Sequence, residues 1–175
     1  MPAAEKLWGS INGLMTEIAR SQDADATMAA VAMVYITIDT LSFLSMPTNQ
    51  TAQTRRDFTA WVDAYLKADA AQAYQYRGID VYAARCGLLH AFGAEAEQHR
   101  KDPSIIMFGY ADNGPHMFNP SVSPRFAIIS LAVLVHDLAK AVEAFLRACM
   151  ADTDLKARVE TRLPAIYATL PFPQH

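Results

Sequence analysis

Apolar residues recur at three- and four-residue spacing along most of this chain, which is the period that places them on one face of an α-helix. The pattern divides into six segments, which cover approximately residues 3–20, 23–45, 54–66, 79–92, 123–150 and 154–170. Short polar or proline-containing stretches separate them. The chain is therefore expected to be mainly α, folded as an antiparallel helical bundle of about six helices.

Capping signals mark where several of these helices begin. Asp23 or Asp25 is placed to cap the second helix, and Thr54 followed by Asp57 resembles a capping box. Ser123-Pro124 matches an N-cap residue followed by proline at the first helical position. We therefore expect the long fifth helix to start there.

Proline and glycine mark where helices end or bend. Pro47 disfavours helical geometry in the residue before it, so the second helix is expected to end near Ser45. Gly93 is placed to end the fourth helix, and Pro164 to bend or break the last one.

The segment between the fourth and fifth helices is the only one that resembles β-structure. The run SIIMFGY, residues 104–110, is followed by turn residues at 112–115 and by the extended sequence HMFNP. We expect at most a small β-hairpin here, with strand confined to residues 104–119.

Composition indicates a soluble globular protein of one domain, residues 1–175. Hydrophobic residues make up 52% and charged residues 19%, which suits a packed core. The net charge of −3 shows no basic excess, so bulk charge does not indicate a nucleic-acid partner. Cys86 and Cys149 form no CxxC motif, so we expect unpaired, buried thiols in a cytoplasmic protein.

The two most apolar stretches, residues 28–46 and 126–138, are interpreted as core helices and not as membrane spans. Asp39 and four serine or threonine residues interrupt the first, and the second is too short to cross a bilayer. The first ten residues carry charges where a signal peptide needs an apolar run.

The helix predicted at 79–92 carries an arginine where an apolar residue is expected. On a helical projection Arg85 falls inside the apolar arc and His90 at its edge, while the opposite sector holds small residues and Asp80. A guanidinium does not lose its charge at neutral pH, and burying it without a partner costs several kcal/mol. Asp39 also interrupts an apolar stripe, so we expect an Arg85–Asp39 ion pair.

Three runs around these residues carry a family resemblance: IDTLSFL, RRDFTAWVDAYL and IDVYAARCGLLHAFGAE. They resemble a widespread family of small bacterial helical proteins, and YAARCGLLH is the most specific element. The spacing Arg85-x4-His90 is also similar to the Arg-x4–6-His signature of HEPN domains, which are helical bundles often found as dimers. In active HEPN members this pair cleaves RNA at the dimer cleft without a metal ion.

The resemblance implies a homodimer that binds RNA or a nucleotide and needs no cofactor or metal. Arg85 would stabilise charge on the phosphorus, and His90 would move a proton to or from the 2′-hydroxyl or the leaving oxygen. Arg100 and Lys101 are candidate phosphate contacts, because such contacts need only charge and reach. Tyr74, together with Tyr76 and Arg77, would either stack on a base or cover the edge of the bundle.

Other interpretations of these residues stay open. In the second interpretation the chain is a non-catalytic helical dimer in which the Arg85–Asp39 pair fixes packing. The two functions differ in whether Arg85 and His90 reach a common accessible cleft or face a sealed core. Cys86 lies one helical turn before His90, but a zinc site needs more ligands than this pair supplies. Residues 93–102 and His136 are expected to be solvated.

Overall fold

The computed structural model describes residues 3–166, and within this range the chain forms seven α-helices and two short β-strands. The elements are α1 (Ala3–Asp23), α2 (Thr27–Ser45), α3 (Arg55–Tyr65), α4 (Gly78–Ala91), α5 (Glu97–Lys101), β1 (Met107–Ala111), β2 (Phe126–Ser130), α6 (Leu131–Ala151) and α7 (Thr153–Arg162). The prediction of a mainly α fold is confirmed.

Helix α2 lies at the centre of the core. It packs against α1, α3, α4, α6, α7 and β1, and its buried side chains include Ile38 and Leu41. By length and composition alone α2 is also apolar enough to cross a membrane, and about half of it is buried in the described fold. Aromatic rings of α3 and α6 meet nearby, where Phe145 packs edge-on against Trp61 and Tyr65.

The helix starts follow the predicted signals in one case and depart from them in another. Thr54 and Asp57 form the predicted capping box at α3, in which each residue's side chain accepts a hydrogen bond from the other's backbone N–H. The predicted cap of α2 is wrong, because its N-cap is Ala26, which has no capping side chain. Asp25 instead adopts the left-handed conformation, with a φ of 52°, in the turn before α2.

The predicted hairpin is wrong, because β1 pairs with β2 in parallel. Met107 lies opposite Phe126, and Ala111 lies opposite Ser130. The return segment of the expected hairpin pairs instead with the other edge of β2, through a single antiparallel bridge between Met117 and Ile128. Residues 112–125 provide the long crossover that a parallel pair requires.

This pairing also moves the start of the long helix. Ser123-Pro124 does not begin it; α6 starts at Leu131, with the Ser130 side chain accepting a hydrogen bond from the backbone N–H of Val133. The sequence FAIIS is rich in aromatic and β-branched residues, which fit a pleated strand beside a partner. A strand therefore forms where the sequence predicted the first turns of a helix.

Some helices end at the predicted residues and others do not. Helix α2 ends at Ser45 as predicted, and Pro164 lies in a short 3₁₀ turn, Leu163–Ala165, that ends α7. The left-handed residue that ends α4 is Phe92 and not Gly93. Residues 167–170 of the last predicted helix lie outside the described residues.

The segment predicted as a solvated turn contains the short helix α5. Its His99 is buried, although Arg100 and Lys101 beside it are exposed. On α6 the prediction for His136 is confirmed, because that side chain is exposed, while the neighbouring Asp137 is buried.

Candidate functional site

The predicted ion pair between α2 and α4 is present. Arg85 Nε lies 2.8 Å from Asp39 Oδ2, and about one fifth of each side chain is exposed (22% and 21%). Burial raises the pKa of the Asp39 carboxyl, and the hydrogen bond and charge of Arg85 oppose that shift. The two charges are thus held at the edge of the core, within reach of solvent.

Arg85 also contacts His90, five residues further along α4. Its Nη1 lies 3.2 Å from His90 Nε2. A guanidinium only donates hydrogen bonds, so Nε2 is the acceptor and a neutral His90 carries its proton on Nδ1. The contact therefore presents the unprotonated nitrogen of an imidazole to a fixed positive charge.

His90 opens onto a cleft of about 430 Å³. The wall is formed by α4, the segment after it and α5, with Tyr82, Cys86, Gly87, His90, Ala91, Glu95, Ala96, Glu97, Gln98 and Arg100 as lining residues. Arg85 is not part of this wall; it contacts His90 but does not line the cleft with it. Neither residue faces a sealed core.

The two candidate phosphate contacts lie on different sides of α5. Arg100 lines the cleft of His90 and lies 3.4 Å from Glu95. Lys101 pairs with Glu97 at 2.6 Å and lines a larger neighbouring cavity of about 610 Å³ with Arg55 and Arg77. Only Arg100 is therefore brought beside His90.

The proposed stacking surface at Tyr74, Tyr76 and Arg77 does not form, because these residues hold buried polar groups. Tyr74 is buried and donates its hydroxyl to Asp80 Oδ2 at 2.6 Å. Arg77 donates from Nε and Nη2 to the same carboxylate, both at 2.6 Å. The alternative was that these residues cover the edge of the helices. Tyr76 fits that alternative, because its side chain is half-buried.

Asp80 is a buried structural carboxylate that the sequence analysis missed. It is fully buried and also accepts the backbone N–H of Ile106 at 3.0 Å, so it joins the start of α4 to the segment leading into β1. The helical projection placed it with Ala84 and Gly87, which resembled a solvated sector. These small residues are buried because the chain passes close over them: a Cβ on Gly87 would lie 2.6 Å from the carbonyl oxygen of Gly93.

A second buried cluster joins His116 to α6. The backbone N–H of Ser130 donates to His116 Nδ1 at 3.1 Å, so Nε2 carries the proton and donates to the Tyr76 hydroxyl at 2.6 Å. Tyr76 in turn donates to Asp137 Oδ2 at 3.2 Å. No pattern in the sequence pointed to this cluster, since its members are far apart along the chain.

His99 is held neutral in the same way. Its Nδ1 accepts the backbone N–H of Ala96 at 2.9 Å, and its Nε2 lies 3.3 Å from the carbonyl oxygen of Ile106. Burial lowers the pKa of His99 and also that of His116. The charged groups around His99 are Arg125, Asp80 and Glu95. Protonation at either Nδ1 would place a hydrogen against a backbone N–H.

These two histidines are expected to make the fold less stable in mild acid. An unfolded histidine titrates near pH ~6.5, so below that pH the unfolded chain binds more protons than the folded one. The free energy of unfolding therefore keeps the full contribution of both histidines above about pH 6.5. It falls with decreasing pH, by at most about 1.4 kcal/mol per pH unit for each histidine. Urea midpoints measured between about pH 5.5 and pH 7.5 test this. A His99→Gln or His116→Gln variant with an unchanged pH slope would contradict it.

The Arg85–Asp39 pair is expected to contribute moderately to stability. A buried partner left alone costs about 3–5 kcal/mol, but these side chains are partly exposed, so Arg85→Ala should cost about 1–3 kcal/mol. A double-mutant cycle of Arg85→Gln and Asp39→Asn, read by urea unfolding, should give a coupling of about 1–2 kcal/mol. Additive effects of the two substitutions would show that the pair contributes nothing.

Cys86 and Cys149 are both free and buried, as predicted. Cys86 lies behind His90 in the cleft wall, with its Sγ 3.9 Å from Arg85 Nη1. Among the side chains that the structure describes, no three His, Cys, Asp or Glu groups lie together so as to hold a metal ion.

Comparison with known proteins identifies no relative for this chain. No family model, no curated protein and no solved structure matches it. Any functional assignment therefore depends on the geometry around Arg85 and His90.

Proposed function

We propose that this chain is a HEPN-like protein that binds and cleaves RNA without a metal ion, at a dimer cleft that includes the cleft of His90. Arg85 and His90 are the proposed catalytic residues. The observation that supports this most is the 3.2 Å contact between Arg85 Nη1 and His90 Nε2 at the edge of an accessible cleft. No cofactor enters the proposed reaction.

The contact supports a specific division of labour. A phosphodiester that enters the cleft offers Arg85 stronger acceptors than an imidazole, because its oxygens are charged. Once Arg85 donates to the phosphate, His90 Nε2 is free to take the proton of the 2′-hydroxyl. The 2′-oxygen then attacks phosphorus, the bond to the 5′-oxygen breaks, and a 2′,3′-cyclic phosphate forms while Arg85 stabilises the added charge.

The leaving 5′-oxygen needs a proton, and this is the reason for proposing two copies. His90 of one chain holds the proton it has just accepted, so a second His90 across a twofold axis, present as the imidazolium, would donate a proton to the leaving oxygen. The outer side of α2 supports such a contact: Ile36 is 38% exposed, and Met33 and Phe43 are partly exposed beside Asp39. Two free buried thiols suit the reducing cytoplasm in which we place the protein.

We also propose that the helices form an antiparallel bundle. Consecutive helices α1 and α2, α2 and α3, and α3 and α4 pack against each other, which favours opposite directions for neighbours joined by short connections. In that arrangement Asp39 on α2 and Arg85 on α4 meet at one side of the bundle.

A second candidate function is favoured by the Asp39 contact. In this alternative the chain is a non-catalytic dimer, and Arg85 serves only to fix α2 against α4. The 2.8 Å distance to Asp39 supports it, because this bond uses a donor that would otherwise be available to a phosphate. Arg85→Ala should then disturb the dimer, while the His90 imidazole has no role.

Purified protein incubated with single-stranded and structured RNA in the presence of EDTA distinguishes the two candidates. Under the proposed function the wild-type protein cleaves in EDTA, leaves 2′,3′-cyclic phosphate ends and sediments as a dimer. A dimer that cleaves no RNA would support the non-catalytic alternative. Cleavage that disappears in EDTA would contradict the metal-independent reaction.

A further inference from the structure

Phe92 is the most exposed aromatic side chain that the structure describes near the candidate site. It follows His90 by two residues, at the end of α4, and 75% of it is exposed. Its backbone is left-handed, with a φ of 49°, a conformation that aromatic residues rarely adopt. A large apolar ring is thus exposed to solvent at a backbone conformation that is unfavourable for aromatic residues.

The surrounding contacts hold this conformation in place. The backbone N–H of Phe92 donates to the carbonyl of Leu88 at 2.9 Å, and that of Gly93 donates to the carbonyl of Gly87 at 3.0 Å. The absent side chain of Gly87 leaves room for this close approach. The backbone that carries the ring is therefore fixed at the helix end.

Phe92 also forms one wall of an apolar cavity of about 200 Å³, between α4 and β1. The cavity is smaller than the roughly 300 Å³ at which pockets hold whole drug-sized ligands, so it suits a single flat ring. Its other side chains are mostly apolar: Met28, Ala84, Leu88, Phe108 and Tyr110.

We propose that Phe92 and this cavity bind an unpaired nucleobase of the RNA substrate. This inference rests on the proposed function and adds its substrate class, which is single-stranded RNA. A ligand that is apolar at one end and anionic at the other matches a small apolar cavity whose wall residue Phe92 follows His90 by two positions. Aromatic side chains stack on bases of any sequence, since every base has a π-face.

The test separates base binding from cleavage by using a single-stranded oligoadenylate with 2′-O-methyl groups, which lacks the attacking hydroxyl. Phe92→Gly removes the ring and places at this φ the residue that best accepts it. We expect this variant to melt no lower than the wild type and to bind the oligonucleotide about 5- to 150-fold more weakly. Met150→Ala, at an exposed apolar residue of α6, is the matched control and should bind normally.

A second variant reports stacking directly. In Phe92→Trp the indole should retain binding, and its fluorescence should be quenched by the oligoadenylate, while Met150→Trp shows no quenching.

Unchanged affinity in Phe92→Gly together with unquenched Phe92→Trp overturns the inference. If the wild type still cleaves RNA in that case, the proposed function stands. A Phe92→Gly protein that changes its sedimentation but not its affinity would assign the ring to a contact between copies, which also overturns it. A wild type that neither binds nor cleaves RNA refutes both.

Discussion

A His90→Ala variant should lose RNA cleavage in EDTA by about 100- to 10,000-fold, the range that general acid–base catalysis supplies. The imidazole is exposed, and among the hydrogen bonds that hold the described fold it contributes only the one from Arg85. Its removal should therefore leave the melting temperature nearly unchanged. Single-turnover cleavage of a single-stranded RNA, followed with protein in excess, measures the loss without interference from product release.

The matched control for this variant is His136→Ala. His136 is also an exposed histidine on a helix, and it lies on α6, outside the wall of the His90 cleft. It should cleave RNA at the wild-type rate. Equal cleavage by wild type and His90→Ala would identify a contaminating nuclease and would leave the non-catalytic dimer as the better account.

Arg85 variants do not replace this experiment, because Arg85 takes part in two sets of contacts. Its Nε is bound to Asp39 and its Nη1 to His90, so Arg85→Ala alters both the α2–α4 contact and the proposed site. Loss of cleavage together with loss of stability would follow from either candidate function. His90 is informative because its contacts are few.

The Arg85–Asp39 contact could be predicted from the sequence because each charge interrupts an apolar stripe of its own helix. An unpaired charge inside such a stripe is costly, so two of opposite sign on neighbouring helices have a strong reason to meet. The helices themselves follow from local spacing, and so does the capping box at Thr54. The helical spacing and the capping box each depend on residues that lie only a few positions apart along the chain.

The β1–β2 pair could not be predicted in the same way. Its strands are joined by 14 crossover residues, and the turn residues at 112–115 favoured a local hairpin over this distant partner. Ser123-Pro124 gave a helix-start signal, but pairing with β1 keeps residues 126–130 extended. Tertiary contacts outweigh local propensity here, as they often do in strands.

The buried face of α4 was missed for a related reason. Small residues are poor evidence of exposure, since Ala84 and Gly87 lie where β1 and the following chain segment approach the helix. A carboxylate in such a sector is a buried group that needs several donors. Asp80 is that group, and four donor atoms converge on its two oxygens.

Asp80→Ala is accordingly expected to be the most destabilising of the substitutions considered, at about 3–5 kcal/mol. Arg77 is about half exposed and will turn to solvent, so its charge contributes little to the loss. The Tyr74 hydroxyl and the Ile106 N–H are buried and would be left without an acceptor, at about 1–3 kcal/mol each. Urea unfolding of the variant and the wild type at neutral pH measures the difference.

Glu17→Gln provides the comparison for Asp80. Glu17 also accepts a hydrogen bond from an arginine three residues away, at 2.8 Å from Arg20, but both side chains are largely exposed. Exposed pairs contribute about 0–1 kcal/mol, so this variant should unfold nearly as the wild type does. An Asp80→Ala protein that unfolds at the same urea concentration as Glu17→Gln would mean that Tyr74 and Ile106 find other acceptors, and that α4 does not depend on this carboxylate for its attachment to β1.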